Sequence, residues 1–263
     1  MIDLHCHILA GIDDGPETME GSLALARAAA AAGTRTIVAT PHVSWRYGND
    51  SATIARLVAQ TNAAFADTGV GVTVLAGAEI AMSRAADLAA TELAALTLGG
   101  GPWLLIECPF TSVAIGLDEL ILELEEAGHG VVLAHPERSP AFQRDPQMLE
   151  SLVRGGVLTS ITAGSLVGRF GGTVRRFALG LMEAELVHNV ASDAHDPEQR
   201  RPGMADELRE AGLEGMTEWL TEGVPAAIIA GEDSLPPRPR IDFAKVAARR
   251  DSWWRRGPLR RAS

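Results

Sequence analysis

Apolar and polar residues follow two rhythms along this chain. Short runs rich in valine, isoleucine and leucine, such as "RTIVAT" (35–40), "VTVLAGA" (72–78) and "WLLIE" (103–107), are separated by longer alanine- and leucine-rich stretches of helical period. The runs predict strands at 2–6, 35–40, 72–78, 103–107, 130–134, 156–161 and 186–192. The stretches predict helices near 17–32, 50–67, 115–127, 145–154, 173–184 and 203–222. Strands alternating with helices imply parallel strands joined by crossovers, and 263 residues suit one α/β barrel. The turn-rich "GEDSLPPRP" ends the compact body between 231 and 239, and no period of 20 to 50 residues repeats.

The polar residues fall where the strands stop. His5 and His7 close the first strand, His42 follows the second in "ATPH", and Glu79 follows the third in "GAE". Glu107 closes the fourth, His135 the fifth in "LAHPER", and Asp193 with His195 the seventh in "ASDAH". In a parallel barrel all the carboxyl ends open on one face, so these side chains should converge. Alternation supports this, because His5 and His7 face one side while Cys6 faces the other. Asp13 or Asp14 could swing over the same mouth; Asp14, next to Gly15, is preferred, with Asp13 supporting or replacing it. Five of the seven histidines lie at these strand ends, leaving His129 and His188 as structural. A carboxylate ending an apolar strand is costly unless it is paired or binds metal, which gives Glu79 and Glu107 weight. Imidazole and carboxylate without thiolate suit Mn, Fe or Zn, and nine donors exceed one ion's needs, so two or three metals are expected.

Composition narrows the classes. A chain 46% hydrophobic and 22% charged is ordinary for a soluble globular protein, and the first apolar run is too short for a signal or membrane segment, so a cytoplasmic location is expected. The two cysteines need not pair, and neither is followed six residues on by arginine, which removes the Cys-x5-Arg phosphatase loop. Residues 238–263 carry nine basic side chains against two acidic, leaving the rest at −18 of the overall −11. An acidic body speaks against nucleic-acid binding. The basic segment, with Trp253 and Trp254, reads as a solvated terminus or as the one place for contact with a membrane or a partner. The chain therefore divides into a body at 1–237 and a basic tail at 238–263.

The segments "DLHCHILAGIDDG", "TIVATPH", "GAEI", "LIECPF", "LAHPER" and "ASDAH" together resemble the polymerase-and-histidinol-phosphatase (PHP) superfamily, and within it the bacterial protein-tyrosine phosphatases encoded with capsular and exopolysaccharide genes. The resemblance runs in register from residue 1 to about 235. It implies a distorted (β/α)7 TIM-like barrel. It also implies three metals: His5, His7, Glu79 and Asp193 around one, bridging Glu79 with Glu107 and His135 around a second, and Asp14, His42 and His195 around a third. Manganese is the foremost candidate metal. Metal-bound hydroxide would attack the phosphorus with no protein nucleophile, Asp14 and His42 sharing the catalytic role with Arg138, whose planar fork grips phosphate. Arg201, or its neighbour Arg200, is a second phosphate candidate. Relatives of this kind act on the tyrosine kinase of polysaccharide export, so a phosphotyrosyl protein is the expected substrate and partner.

Two departures bear on the substrate. After "TPH" the chain reads "VSWRYGND", where relatives often carry another histidine or a basic polar stretch, so Trp45, Arg46 and Tyr47 should shape the substrate lip, the aromatic pair packing on a tyrosyl ring. After Glu79, "EIAMSRAADL" lacks the aromatic residues common there. One rival is a PHP phosphoesterase acting on histidinol phosphate or a nucleotide. Another is a different metal-dependent barrel hydrolase, disfavoured because Lys245, the sole lysine, cannot supply a carboxylated lysine in a central strand. A non-enzymatic binding scaffold is disfavoured by full retention of the donors.

Overall fold

Runs of β-branched and leucine residues form parallel strands here, buried on both faces as crossover helices require. The computed structural model describes residues 1–243 and 246. Among them are β1 (Ile2–Cys6), β2 (Thr36–Ala39), β3 (His42–Val43), β4 (Thr73–Ala76), β5 (Glu79–Ala81), β6 (Trp103–Glu107), β7 (Gly130–Ala134), β8 (Leu158–Thr162) and β9 (Asn189–Ala191). They make a three-stranded sheet, β1-β2-β4, and a six-stranded sheet, β3-β5-β6-β7-β8-β9, with every neighbour parallel. The result is a mixed α/β fold on parallel sheets.

The two sheets meet along one seam. Cys6 pairs with Ala194; Asp193 N donates to His5 O over 2.8 Å and His7 N to Ala194 O over 2.9 Å. Continuity on the other side is through the chain itself, β2 running into β3 across Thr40 and Pro41, and β4 into β5 across Gly77 and Ala78. Proline has no N–H to give a ladder, which fits the break at Pro41.

Helices follow the strands. Met19–Ala31 and Ser51–Asp67 start on Thr18 and Asp50, whose side chains accept from Gly21 N and Thr53 N. Leu117–Glu126, Pro146–Arg154 and Gly172–Glu183 match their expected positions within a few residues. The single helix expected at 203–222 is instead broken into Ala205–Glu210, Glu214–Met216 and a π-type turn at Trp219–Gly223, followed by Val224–Ala230. Gly212, at φ +78°, supplies the left-handed turn that ends its first piece. The strand expected at 72–78 is likewise two pieces, and its second piece carries Glu79.

The described residues past 237 stay on the body. Arg238 lies 5.0 Å over the Trp219 ring and donates to Val187 O over 2.8 Å, while Ile241, Phe243 and Val246 pack against the core. Trp253, Trp254 and most of the basic segment lie outside the described residues. No described helix is long and apolar enough to cross a membrane.

Candidate metal and phosphate site

Strand periodicity builds the first wall. Asp3 and His5 alternate along β1, His7 follows just past its end at the same spacing, and all three are buried. The Asp3 carboxylate accepts from Ser192 N at 3.0 Å, Ser192 Oγ at 2.5 Å and His5 N at 3.3 Å, so it pins β1 to the residue preceding Asp193. Asp3 is not among the donors expected from the sequence, although it shares the two-residue spacing of His5 and His7.

Glu79 is the centre of the cluster. It is almost fully buried at the start of β5, with His135 Nε2 2.7 Å from its Oε1 and His42 Nδ1, His5 Nε2 and His7 Nε2 at 3.0, 3.2 and 3.4 Å from its Oε2. Burial alone would raise this carboxyl, but His5 and His135 hold it well below the usual range. Glu107, at the end of β6, groups with Glu79 and His42. Burial, and then the charge of Glu79, pushes Glu107 up to about 7. Two adjacent carboxylates in a half-buried site repel each other unless a cation lies between them.

Asp193 forms the opposite wall. Its Oδ1 lies 3.6 Å from both His5 Nε2 and His7 Nε2. Burial opposes its ionisation, yet His5 and Arg200 hold it below the ordinary carboxyl range. Asp193 and His135 have φ of +50° and +34°, two of the three non-glycine residues in the left-handed region among the described residues. Such backbone is costly and persists where a site over-determines it. Both bends let a strand end aim its last side chain into the cluster.

The loop after β1 separates the two aspartates. Asp13 Oδ2 lies 2.7 Å from His7 Nδ1 and accepts from His42 N over 3.1 Å, and Asp13 Oδ1 accepts from Gly15 N. A carboxylate on Nδ1 orients the ring and leaves Nε2 facing the cluster. Burial works against protonating His7, but Asp13 and Glu79 outweigh it and push its pKa up to about 10. Asp14 turns to the mouth, with Oδ1 3.4 Å from His42 Nε2 and 3.3 Å from His195 Nε2. Gly15 makes the approach possible, since a Cβ there would stand 2.4 Å from His7 O.

Arginines close the site. Arg138 Nη1 donates to Asp193 Oδ2 over 2.6 Å, and its guanidinium lies 4.5 Å from the Phe170 ring and 5.3 Å from the Phe110 ring. Arg200, not the expected Arg201, reaches the cluster: its Nη2 is 2.7 Å from Asp193 Oδ1 and its Nη1 4.0 Å from Asp14 Oδ2. Arg201 is drawn away by the buried Glu207, which accepts from it over 3.1 Å and also from Arg169. At the lip, Tyr47 stacks on His42 at 5.5 Å and 9°, Arg46 lies over Tyr47, and Trp45 is 69% exposed under Arg84.

The donor set fits divalent metals. Among the described residues, four groups each bring their ligand atoms within 4.8 Å of one another: His7, Asp14, His42 and His195; His5, His7 and Asp193; His5, Glu79 and His135; His42, Glu79 and Glu107. Metal–ligand bonds of about 2.0–2.2 Å leave neighbouring ligand atoms roughly 3–3.5 Å apart. That is the separation of His5 Nε2 and His7 Nε2, at 3.2 Å, and of most contacts to Glu79. His195 Nε2 is buried and close to Asp14 without a hydrogen-bond partner, while its Nδ1 faces the Asp193 carbonyl at 3.0 Å. A carbonyl on Nδ1 places the proton there and leaves Nε2 free to ligate. Neither cysteine takes part: both are buried, and burial first of all pushes their thiols well up.

Several known proteins are similar to this chain. Residues 1–213 match the family described as capsular polysaccharide synthesis, CpsB/CapC. The chain is 40% identical to the tyrosine-protein phosphatase YwqE of Bacillus subtilis over 203 residues, covering 76% of this chain and 79% of that one. It is 32% identical to the putative tyrosine-protein phosphatase CapC of Staphylococcus aureus over 209 residues, covering 79% and 82%. A crystal structure from work on YwqE of Bacillus subtilis and CpsB of Streptococcus pneumoniae, described as metal-dependent tyrosine phosphatases, superposes with a TM-score of 0.81 at 35% identity, over 92% of this chain and all of that one. A lactonase from Listeria monocytogenes shares the fold alone, at a TM-score of 0.54 and 12% identity. This chain belongs to the CpsB/CapC family of capsular polysaccharide synthesis.

Proposed function

We propose that this protein is a metal-dependent protein-tyrosine phosphatase of polysaccharide synthesis, hydrolysing phosphotyrosine on a protein substrate, a bacterial tyrosine kinase being the partner. The observation that carries this reading is one buried glutamate, Glu79, within 3.4 Å of four imidazoles, beside an aspartate held by two arginines. The relatives' activity supports it. Two or three divalent transition ions, manganese foremost, would be held by His5, His7, Glu79 and Asp193, by Glu79, Glu107 and His135, and by Asp14, His42 and His195. Bound there, the ions would acidify water and offset the phosphoryl charge.

The chain's own groups do the rest. Asp13 on His7 Nδ1 and the Asp193 carbonyl on His195 Nδ1 fix both rings, so their Nε2 atoms face inward. Arg138 and Arg200 bring planar forks to the non-bridging phosphate oxygens, Arg138 being kept in place by Phe110 and Phe170. Trp45 and Tyr47 flank the tyrosyl ring. The cysteine thiols, buried and protonated, form no phosphoenzyme.

Further parts of this reading concern the frame. The two sheets form one distorted (β/α)7 barrel, with β2–β3 and β4–β5 each counted as one interrupted strand and the β1–β9 seam closing it. Residues 1–237 are the phosphatase unit, 238–263 the basic tail, and the location is cytoplasmic. Comparing kcat/KM on a phosphotyrosyl peptide, histidinol phosphate and a nucleotide monophosphate tests the substrate. Peptide should lead by tenfold or more; a tenfold lead for either metabolite overturns the assignment.

A further inference from the structure

Between β6 and the helix Leu117–Glu126 the chain reads "CPFTSVAIG", an apolar sequence for a loop. Phe110, Val113 and Ile115 are 52%, 54% and 84% exposed there. Three large apolar side chains exposed within six residues form a patch rather than the scattered exposure common on protein surfaces. Together with Met82 they border a cavity of about 450 Å3, a volume in the range of small-ligand sites.

The cavity adjoins the metal and phosphate site. Glu107 is part of its wall and also groups with His42 and Glu79. Phe110, another part of the wall, stacks on His135 at 5.5 Å and lies 5.3 Å from the Arg138 guanidinium. The lining offers little to a polar guest. Its charged group, Glu107, faces the cluster, its Cys108 is buried, and the Thr111 hydroxyl is spent on Val113 O over 2.6 Å, which leaves the exposed Ser83 as the remaining polar side chain of the lining.

From this juxtaposition we infer that the cavity is a specificity subsite for an apolar side chain within two residues of the phosphotyrosine. The inference rests on the phosphotyrosine reading above and adds to it what the neighbouring residue must be. With the tyrosyl ring against Trp45 and Tyr47, the cavity remains for a second group. An extended peptide advances about 3.3 Å per residue, so a side chain one or two positions away reaches an adjoining hollow. A leucine or phenylalanine there removes the exposed faces of Val113 and Ile115 from water, whereas aspartate would bring a second negative charge beside Glu107 and serine would cover far less apolar surface.

The test uses full-length, metal-loaded protein and five phosphotyrosyl peptides: a parent with serine at all four flanking positions, and four with one leucine at −2, −1, +1 or +2. Hydrolysis of phenyl phosphate, which has nothing to reach the cavity, normalises each preparation. At least one leucine peptide should exceed the parent fivefold in kcat/KM, chiefly through KM, and Ile115→Asp or Val113→Asp should reduce that preference to below twofold. Equal rates on all five peptides overturn the subsite and leave the phosphatase reading intact. Turnover of phenyl phosphate with no hydrolysis of any peptide overturns both. A preference that survives both variants, or variants that change only the sedimentation coefficient, overturn the subsite, the last by assigning the patch to a second copy of the chain.

Discussion

Arg138 donates to Asp193 across 2.6 Å while its guanidinium lies against the rings of both Phe110 and Phe170. The pairing joins the turn after β7 to the chain after β9, so the residue proposed to grip phosphate is held by the residue proposed to grip metal. Arg138→Ala should lower kcat on phosphotyrosyl peptide by about a hundredfold, the scale of losing one preorganised donor to developing charge. Metal content should be unchanged. Arg138→Lys should recover little, since an ammonium lacks the planar fork and the aromatic stacking. Steady-state kinetics with metal analysis of the same samples checks this.

Asp3 should matter although it faces no substrate. Asp3→Ala leaves Ser192 N and His5 N buried without their acceptor, and should cost about 3 kcal/mol in unfolding free energy. It should also weaken metal retention, because His5 and Asp193 lie on the two segments that Asp3 joins. Asp3→Asn keeps an oxygen acceptor and should recover most of both. Denaturant melts and competition with a chelator distinguish these outcomes.

His188 gives a pH dependence separate from the cluster. Burial, and then the charge of Arg238, lowers its pKa to about 4, and its Nδ1 accepts from Thr159 N over 3.1 Å. The unfolded chain takes up a proton near the ordinary value of about 6.5 and the folded chain does not, so this contribution is complete above about pH 6.5 and is lost as the pH falls. The stability of the wild type relative to His188→Asn should fall by about 3 kcal/mol between pH 7 and pH 4. A flat difference across that range contradicts the assignment.

Thiol chemistry should leave the enzyme untouched. Alkylating reagents should not label Cys6 or Cys108 in the folded protein, both being buried with thiols pushed well up. Cys6→Ser and Cys108→Ser should each retain most activity while costing about 1–2 kcal/mol in stability through packing. Activity lost on alkylation of folded, metal-loaded protein would contradict a mechanism without a protein nucleophile.

Much of the site was legible because strand ends and a period of two are local signals. His5, His7, Glu107, His135, Asp193 and His195 could be placed from one rule, that parallel strands open their carboxyl ends on one side, while His42 and Glu79, expected just past strand ends, instead begin the short second pieces β3 and β5. What escaped depended on distant partners. Nothing local distinguishes Arg200 from Arg201, and the choice is made by Glu207, buried on the short helix Ala205–Glu210, which holds Arg201. Asp3 is a strand residue like any other until Ser192 arrives from the far end of the chain. The broken helix after 203 followed from Gly212, whose left-handed φ overrides the helical pattern around it.

Trp45→Ala should raise KM for phosphotyrosyl peptide with kcat nearly unchanged, because the ring lies at the exposed lip rather than among the donor atoms. A fall in kcat with constant KM would move Trp45 out of substrate binding.

The central claim is that Glu79 and the residues around it hold catalytic metal. Its most direct test is to strip the purified protein with a chelator, titrate manganese back, and follow metal per chain together with phosphotyrosyl-peptide hydrolysis. The account predicts two or three ions per chain, hydrolysis abolished on stripping, and recovery that tracks reloading. Full turnover with one ion or fewer per chain would contradict it.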